Sequence, residues 1–428
     1  MTDDKTIGAD GAPSPGVPAR KAAFGFIFAT AVMNAISFGL MIPVLPFLVK
    51  SFVGGDTATA AIWIMVFGVT WGTMQFLWGP VLGLLSDRFG RRPVLLISIF
   101  GLGVDFLFMA FAPNIWWLLI GRVINGLTAA SFSTASAYVA DITPGEDRAR
   151  RFGLMGSAFS FGFLIGPVIG GPLGHYVGLR VPFMLAAGLA FANGLYGFFI
   201  LPESLPIERR IARFTFTKAN PVASLRFLRE HGTLSGLAAI YFLFMLSQSV
   251  WPNVFVLYAG YRFHWNPATI GLVLMINGGS GIISQVFLVG PAVRRFGERG
   301  TLLIGAACGV IALVIAGLAP FGWVYFVSLP FGAVSNFLQA GLMGLMSRRV
   351  GPSEQGRLQG SNQSLQGITS IVGPVLYGST FAWAIRNDPI FHTPGLPILI
   401  SAGLLVVALA LGVRFAQPAP TAELVPAP

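Results

Sequence analysis

The sequence contains little cysteine, little histidine and little charge. Cys308 is the single cysteine, so no disulfide can form within the chain and no cysteine-based metal site is predicted. The four histidines lie in loops or near the ends of apolar runs and show no metal-ligand spacing. Charged residues make up 10% of the chain, against about a quarter in ordinary soluble domains. This composition excludes an ordinary soluble domain, because too few polar side chains remain to cover its surface.

Apolar residues make up 54% of the chain and occur in long runs. A transmembrane helix needs about 20 mostly apolar residues, and helices satisfy their own backbone hydrogen bonds in lipid. Twelve such runs are present, so we predict an all-α integral membrane protein with twelve transmembrane helices. The predicted spans are 22–49, 60–85, 93–112, 115–140, 152–177, 181–201, 233–260, 267–293, 300–319, 322–347, 355–385 and 394–416.

Basic residues are distributed unequally between the two sides of the predicted membrane. The side that holds the termini, every second loop and the segment between spans 6 and 7 carries 22 Lys and Arg residues, and the other side carries 4. Loops rich in these residues stay in the cytoplasm, so both termini are predicted to be cytoplasmic. The basic clusters are short and lie between apolar runs, which favours membrane topology over nucleic-acid binding.

The two halves of the sequence resemble each other at an offset of 207 residues. The run 83–92 matches the run 290–299, and Arg150 matches Arg357. Matches at one offset indicate duplication of a six-helix unit, and paired six-helix repeats with substrate handled between them are a transporter architecture. The predicted domains are a disordered N-terminal segment (1–21), a first six-helix bundle (22–201), a linker (202–232), a second bundle (233–416) and a disordered tail (417–428).

Three motifs of the first half carry a family resemblance. They are Gly83, Asp87, Arg88, Gly90, Arg91 and Arg92 between spans 2 and 3, Arg122 followed by Gly126 in span 4, and Gly162, Gly166, Pro167, Gly170 and Gly171 in span 5. Together they resemble the major facilitator superfamily, in its twelve-helix drug:proton antiporter branch. The runs 41–46, 86–96 and 262–266 resemble the tetracycline efflux group of that branch. The resemblance covers nearly the whole chain.

The resemblance implies that the loop motif takes part in gating, with span 11 as the partner. Gly90 permits a sharp turn. The carboxylate of Asp87 can pair with the neighbouring arginines or with the N-terminus of a helix in the other half. Such a contact would exist in one conformation and break in the other. A basic loop that only sets topology is the alternative.

The glycines of span 5 recur every four residues and therefore share one helix face. Such a face lets a neighbouring helix approach closely, and Pro167 can kink the helix. We predict that the glycine cluster of span 8, which includes Gly271, is the partner from the other half. The resemblance makes this segment the antiporter motif.

Asp105 in span 3 and Arg122 in span 4 are the two charged residues deep within the predicted spans. Charges at such depth are costly and mark functional sites by default. Arginine keeps its proton at physiological pH, but its charge influences the protonation of a neighbouring acid. Asp105 is therefore predicted to be a proton-linked switch assisted by Arg122. A static ion pair between neighbouring helices is the alternative.

Neutral polar residues occur in most spans, where lipid would leave them without partners. Some must line a central cavity, which the 38 Phe and 9 Trp of the chain are expected to make aromatic and suited to amphipathic compounds. The predicted cavity residues are Asn34, Gln75, Asn125, Gln248, Asn277, Asn336, Gln339 and Gln363.

The sequence contains no nucleotide-binding loop, no catalytic constellation and no cofactor motif, so neither an enzyme nor a cofactor is predicted. We predict a monomeric secondary active transporter of the bacterial inner membrane. It would export small hydrophobic or amphipathic, drug- or tetracycline-like compounds in exchange for protons. The tetracycline group carries acids in helices 1 and 9 and a histidine in helix 8, whereas this chain has Asn34, Cys308 and Gly281 there. A facilitator of a specific metabolite without proton coupling is therefore the alternative, and a receptor that no longer transports is a third possibility.

Overall fold

A computed structural model describes residues 17–129, 131–144, 147–211, 228, 232–351 and 354–417. Within these residues the secondary structure is helical throughout. The α-helices are α1 (Val17–Met41), α2 (Leu45–Phe52), α3 (Thr57–Phe89), α4 (Arg91–Phe111), α5 (Ile115–Thr128), α6 (Ser131–Ile142), α7 (Arg148–Pro172), α8 (Val181–Ile200), α9 (Gly232–Gln248), α10 (Val250–Arg262), α11 (Pro267–Ile283), α12 (Val289–Leu318), α13 (Gly322–Ser347), α14 (Gln355–Arg386), α15 (Asp388–Phe391) and α16 (Leu396–Phe415). Two π-helical turns, Leu173–Val177 and Ser284–Leu288, follow α7 and α11.

The described residues contain eleven helical segments that are long and apolar enough to cross a membrane. One of them, Pro267–Leu318, is 52 residues long, and Gly297 interrupts it with a non-helical backbone (φ 69°). This segment therefore supplies two spans, and the prediction of twelve is confirmed. In chain order the spans are α1–α2, α3, α4, α5–α6, α7 with its π turn, α8, α9–α10, the segment from the start of α11 to residue 296, the part of α12 after Gly297, α13, α14 and α16.

Several helix boundaries differ from those predicted by hydropathy. Helix α1 begins at Val17 rather than at residue 22. Span 1 is broken after Met41, because Pro43 has no N–H to donate and its ring excludes the preceding helical turn. Residues 1–16, most of the predicted linker and residues 418–428 lie outside the described residues.

The sequence repeat corresponds to a structural repeat. Gly90 (φ 105°) and Gly297 (φ 69°), which are 207 residues apart, each separate two successive spans with a backbone that favours glycine. Two residues later, Arg92 and Arg299 donate to backbone carbonyls in the closing turns of spans 6 and 12. Equivalent residues thus make equivalent contacts in the two six-helix bundles.

The bundles meet along two antiparallel helix pairs, spans 2 and 11 and spans 5 and 8. Glycines allow the close approach of spans 2 and 11. A Cβ atom on Gly68 would lie 2.9 Å from Pro374, and one on Gly72 would lie 2.5 Å from the Ser370 carbonyl oxygen. The two helices therefore pack backbone to backbone in the middle of the membrane-spanning region.

The bundles separate toward one end, which we call the arginine-rich end because it bears the basic loops 2–3, 4–5, 8–9 and 10–11. Added Cβ atoms at five glycines of spans 2, 5 and 11 toward this end would meet no described atom within 4 Å. These glycines are Gly79, Gly83, Gly153, Gly156 and Gly356. At the opposite end the bundles stay in contact, and Asn266 Nδ2 lies 3.4 Å from His175 Nε2. The interior is therefore open toward the arginine-rich end.

Candidate functional site

A cavity of about 690 Å³, including its open mouth, lies within the first bundle, between spans 1 to 5. Its apolar lining includes Phe38, Trp71, Met155 and Phe159. Its neutral polar lining residues are Thr30, Asn34, Gln75, Ser98, Asn125 and Thr128. No charged side chain lines this cavity among the residues described. The cavity therefore offers aromatic surface and hydrogen bonds rather than a counter-ion.

Asp105 and Arg122 lie behind the cavity wall, where the hairpin of spans 3 and 4 brings them together. Asp105 is six residues before the end of α4, and Arg122 is seven residues after the start of α5. At 1.5 Å of rise per residue, both lie about 10 Å from the connecting loop. Antiparallel neighbours at the same depth can form a pair, and the spacing of these two residues places them at that depth.

Arg122 and Asp105 form a buried ion pair, in which Arg122 Nη2 donates to Asp105 Oδ2. Asp105 is fully buried and Arg122 is 5% exposed. A Cβ atom at position 121 would lie 2.6 Å from Asp105 Oδ1, so Gly121 makes room for the carboxylate. Asp105 Oδ1 and Arg122 Nε have no hydrogen-bond partner among the described residues. Burial makes each charge dependent on the other, since either one alone would be uncompensated.

Asn125 connects this ion pair to the cavity. Its Nδ2 donates to Asp105 Oδ2 over 2.8 Å, and its Oδ1 accepts from Trp71 Nε1 over 2.9 Å. Both Asn125 and Trp71 line the cavity. The sequence singled out Asp105, Arg122 and Asn125 but did not show that they are in contact. Trp71 could be found only from the structure, because a tryptophan in a span is more often a packing residue.

The second bundle has no equivalent of this pair. At the offset of 207 residues, Asp105 corresponds to Ala312 and Arg122 to Leu329. Both of these side chains are buried and apolar. The two bundles therefore share an architecture but differ in this buried charge.

The predicted cavity residues of the second bundle do not line this cavity. They are Gln248, Asn277, Asn336, Gln339 and Gln363. Asn336 donates to the carbonyl of Ala333 in its own helix, over 3.2 Å. Gln339 and Gln363 have exposed side chains. A role for these five residues in binding stays a prediction.

The predicted gating loop is held by ion pairs within its own bundle. Arg91 pairs with Asp87 through Nη1 and with Asp141, at the end of span 4, over 3.1 Å through Nε. The guanidinium of Arg88 lies 5.3 Å from the ring centre of Phe89. Among the described residues Asp87 pairs with Arg91, and no hydrogen bond or ion pair joins it to span 11, its predicted partner.

The first residues after span 6 dock onto the same loop, which the sequence analysis missed. Glu203 accepts from the backbone N–H groups of Arg91 (2.8 Å) and Arg92 (3.2 Å), which open helix α4. Such first-turn N–H groups have no partner within their helix. The Ile211 N–H also donates to the Asp87 carbonyl, over 3.1 Å. The start of the linker is thus tied to the predicted gating loop.

A second ion pair occupies the equivalent position in the other bundle, with its charges exchanged. Glu298 accepts from Arg348 over 2.7 Å. At the offset of 207 residues, Glu298 corresponds to Arg91 and Arg348 to Asp141. Each bundle therefore ties its loop to its own fourth helix with one ion pair, and the polarity is reversed between them.

The glycine face of span 5 packs against span 1 of the same bundle. Added Cβ atoms at Gly162 and Gly166 would clash with Val32 O and Gly39 Cα. The prediction that this face meets span 8 was therefore wrong for these glycines. It holds on the adjacent face of the helix, where Gly171 lies against Pro267 of span 8 and the predicted partner Gly271 lies against the Pro167 carbonyl. Span 5 thus uses small residues toward both neighbours.

Comparisons with known proteins agree with this architecture. The family model described as the Major Facilitator Superfamily matches residues 27–374. The chain is 38% identical over 383 residues to "Tetracycline resistance protein, class C" of Escherichia coli, covering 90% of this chain and 94% of that protein. It is 32% identical over 362 residues to the class H protein of Pasteurella multocida, covering 84% and 89% of the two chains.

Solved structures with a similar fold are transporters. A bacterial homologue of the human lysosomal transporter Spinster, inward-facing and unoccupied, has a TM-score of 0.73 at 15% identity and covers 94% of this chain and 98% of its own. The human organic anion transporter MFSD10 has a TM-score of 0.67 at 22% identity and covers 92% and 99%. At these identities the similarity concerns the fold alone.

Proposed function

The chain belongs to the Major Facilitator Superfamily, and on that premise we propose that it is a secondary active transporter that exports small amphipathic compounds in exchange for protons. Its curated relatives are tetracycline resistance proteins. The observation that carries the proposal is the hydrogen-bonded connection between the buried Asp105–Arg122 pair and the cavity wall through Asn125. The two sites needed for exchange, one for a compound and one for a proton, are thereby in contact.

The cavity supports a substrate that is aromatic and polar at its edges. Its lining is mostly apolar with a few polar groups, as in sites that hold small organic ligands. Trp71 and Phe159 offer flat apolar surfaces, and Asn34 and Gln75 offer hydrogen bonds. Tetracycline-like compounds and planar dyes have this chemistry.

Asp105 is the group that can hold the exchanged proton. Arg122 keeps its charge at physiological pH, so a change in protonation within this pair takes place on the carboxyl. When Asp105 takes up a proton, a neutral ion pair becomes a site with one net positive charge. Net charge is costly in a dry interior, so the two protonation states favour different conformations. Arg122 assists by holding the carboxylate in place.

Gating at the arginine-rich end is supported by the register of spans 2 and 11. The packed middle of this antiparallel pair aligns the two helices, and continuing the same register brings Arg88 level with Glu354 and Asp87 near Arg357. Closure of this end would therefore bring opposite charges together. In the open state Asp87 pairs with Arg91 instead. We infer that Asp87 exchanges partners as the two bundles rock.

The positive-inside rule places the arginine-rich end in the cytoplasm. In that orientation the described state is open to the cytoplasm and can take up a compound from inside the cell. Both termini are then cytoplasmic, and the chain lies in the plasma membrane of a bacterium. A monomer is sufficient, because both bundles of the fold are in one chain.

The test is uptake of tetracycline and of rhodamine 6G into everted vesicles with an acidic interior. The unmodified protein is expected to accumulate at least one compound, and Asp105→Asn is expected to accumulate none. Asp56→Asn is the matched control, because Asp56 is an exposed acid outside the spans. Exchange of labelled for unlabelled compound without a gradient should persist in Asp105→Asn, which separates loss of coupling from misfolding.

A facilitator without proton coupling is the second candidate. The observation that favours it is that Asp105 already has a charged partner in the described state. Transport that is indifferent both to the gradient and to Asp105→Asn would establish this function and contradict antiport.

A further inference from the structure

Asn125 is the side chain, among the described residues, that contacts the buried acid and also lines the cavity. It is 3% exposed, and both ends of its amide are engaged. One end donates to Asp105 and the other accepts from Trp71. Because one end of the amide donates and the other accepts, a change in the protonation of Asp105 can change the hydrogen bond to Trp71.

We propose that Asn125 and Trp71 form the link through which the protonation of Asp105 sets the affinity of the cavity for its substrate. In this scheme Asn125 is a positioning residue and Trp71 is a substrate-contacting residue. The inference deepens the proposed function and rests on it, because it requires that Asp105 take up and release a proton.

The direction of the effect follows from hydrogen-bond chemistry. An ionised carboxylate only accepts hydrogen bonds, so it fixes the Asn125 amide with Nδ2 toward Asp105 and Oδ1 toward Trp71. The indole N–H is then satisfied, and the ring is held against the cavity wall. This is the arrangement in which the cavity can receive an aromatic compound.

A protonated carboxyl has an O–H to donate, and this changes what Asn125 must offer. Asn125 Nδ2 faces Asp105 Oδ2, so a proton placed on that oxygen would be a buried donor opposite another donor and without an acceptor, which is costly. Turning the Asn125 amide supplies its Oδ1 as that acceptor. The amide NH₂ then faces the indole N–H of Trp71, two donors oppose each other, and the ring leaves the wall for the cavity. Protonation thereby lowers substrate affinity, as release into an acidic exterior requires.

The groups around Asp105 leave few other routes for this effect. Arg122 is the charged group that faces it. Span 6 packs against span 3 and carries Tyr196 as its titratable residue, and α6 carries Tyr138 and, near its end, Asp141. Span 2 carries no charged residue before its cytoplasmic end. Asn125 is the neighbour of Asp105 that reaches the cavity.

The first experiment measures the dissociation constants of tetracycline and rhodamine 6G for the purified full chain in nanodiscs, from about pH 5 to 9. The affinity of the unmodified protein is expected to fall about five- to tenfold toward acid pH. This factor corresponds to the net free energy of about one hydrogen bond. Trp71→Phe keeps the ring and loses the N–H, and Asn125→Leu keeps the volume and loses both hydrogen bonds. Both variants are expected to bind with a flat pH profile. Gln75→Leu, another change in the cavity lining, should weaken binding equally at every pH.

The second experiment needs no ligand. The indole nitrogen-15 resonance of Trp71, assigned by its absence in Trp71→Phe, is followed over the same pH range. It is expected to move in the unmodified protein and to stay fixed in Asp105→Asn and in Asn125→Leu. A resonance that does not move with pH, or a full pH profile of binding in Trp71→Phe, would overturn the link. If the vesicle assay still shows coupling through Asp105, the link alone has failed. If Asp105→Asn also leaves transport and binding unchanged, the proposed antiport has failed with it.

Discussion

Removing one member of the Asp105–Arg122 pair is expected to damage the protein more than removing both. Asp105→Ala leaves a buried guanidinium without a counter-charge, and Arg122→Leu leaves a buried carboxylate. Loss of one partner from a buried ion pair costs about 3–5 kcal/mol, whereas replacement of both by apolar residues is often neutral or stabilising. The double variant has a precedent in this chain, because the second bundle carries Ala312 and Leu329 at these positions.

The magnitude can be read as a change in melting temperature. At about 2–4 °C per kcal/mol for a bundle of this size, each single variant should melt at least about 6 °C below the unmodified protein. The double variant should melt near the unmodified protein or above it. Tryptophan fluorescence during heating in detergent gives the four midpoints of this double-mutant cycle. Transport distinguishes function from stability, since the double variant should fold but accumulate nothing against a pH gradient.

Additive losses would refute this reasoning. If the double variant melts as far below the unmodified protein as the two single losses combined, the two charges do not stabilise each other. A double variant that still accumulates substrate under a pH gradient would place proton coupling elsewhere in the chain.

Three further predictions concern the helix contacts. Gly72→Val, whose side chain would enter the backbone of span 11, is expected to cost about 1–3 kcal/mol and to lower the melting temperature, whereas Gly79→Val, with open space around it, should leave it unchanged. Gly90→Ala should destabilise the protein by about 1 kcal/mol more than Gly297→Ala, because the Cβ at position 90 would also displace the Glu203 carboxylate. Equal melting temperatures of the two variants would contradict this. Asp56→Ala removes the side chain that accepts from the first N–H groups of α3 and should cost about 1 kcal/mol at neutral pH, while Asp56→Asn, which can still cap, should cost little. Hydrogen bonding from Thr59 lowers the pKa of Asp56. The stabilisation that Asp56 gives is therefore complete above the ordinary pKa of an aspartate and is lost as pH falls through the lowered pKa. Below that pH the melting temperatures of Asp56→Ala and of the unmodified protein should converge.

The number and order of the spans could be predicted from the sequence, because the length of an apolar run is a direct consequence of membrane thickness. The boundaries between the helices could not be predicted in the same way. At Gly297 (φ 69°) a single non-helical residue separates two helices, where hydropathy predicts a longer loop between spans 8 and 9. One glycine with a positive φ is enough for this turn, and hydropathy does not reveal how short a turn is.

The candidate site could be predicted in its charged residues but not in its connections. Asp105 and Arg122 were found because charge is rare in a span. The spacing around the hairpin puts Asp105 and Arg122 at one depth, but their contact and the Asn125–Trp71 contact depend on how neighbouring helices are rotated. That rotation cannot be predicted from the local sequence. Glu203 was missed for the same reason, since its partners are backbone N–H groups 112 and 111 residues away.

The exchanged polarity of the Arg91–Asp141 and Glu298–Arg348 pairs bears on how the chain assembles during synthesis. The first bundle enters the membrane before the second. Because the two repeats are alike, the loop of either bundle could dock on the other bundle. A loop 2–3 that met span 10 would place Arg91 against Arg348, and a loop 8–9 that met span 4 would place Glu298 against Asp141. Like charges repel in both mismatches. The reversal of charge therefore disfavours docking of either loop on the wrong half of this duplicated protein.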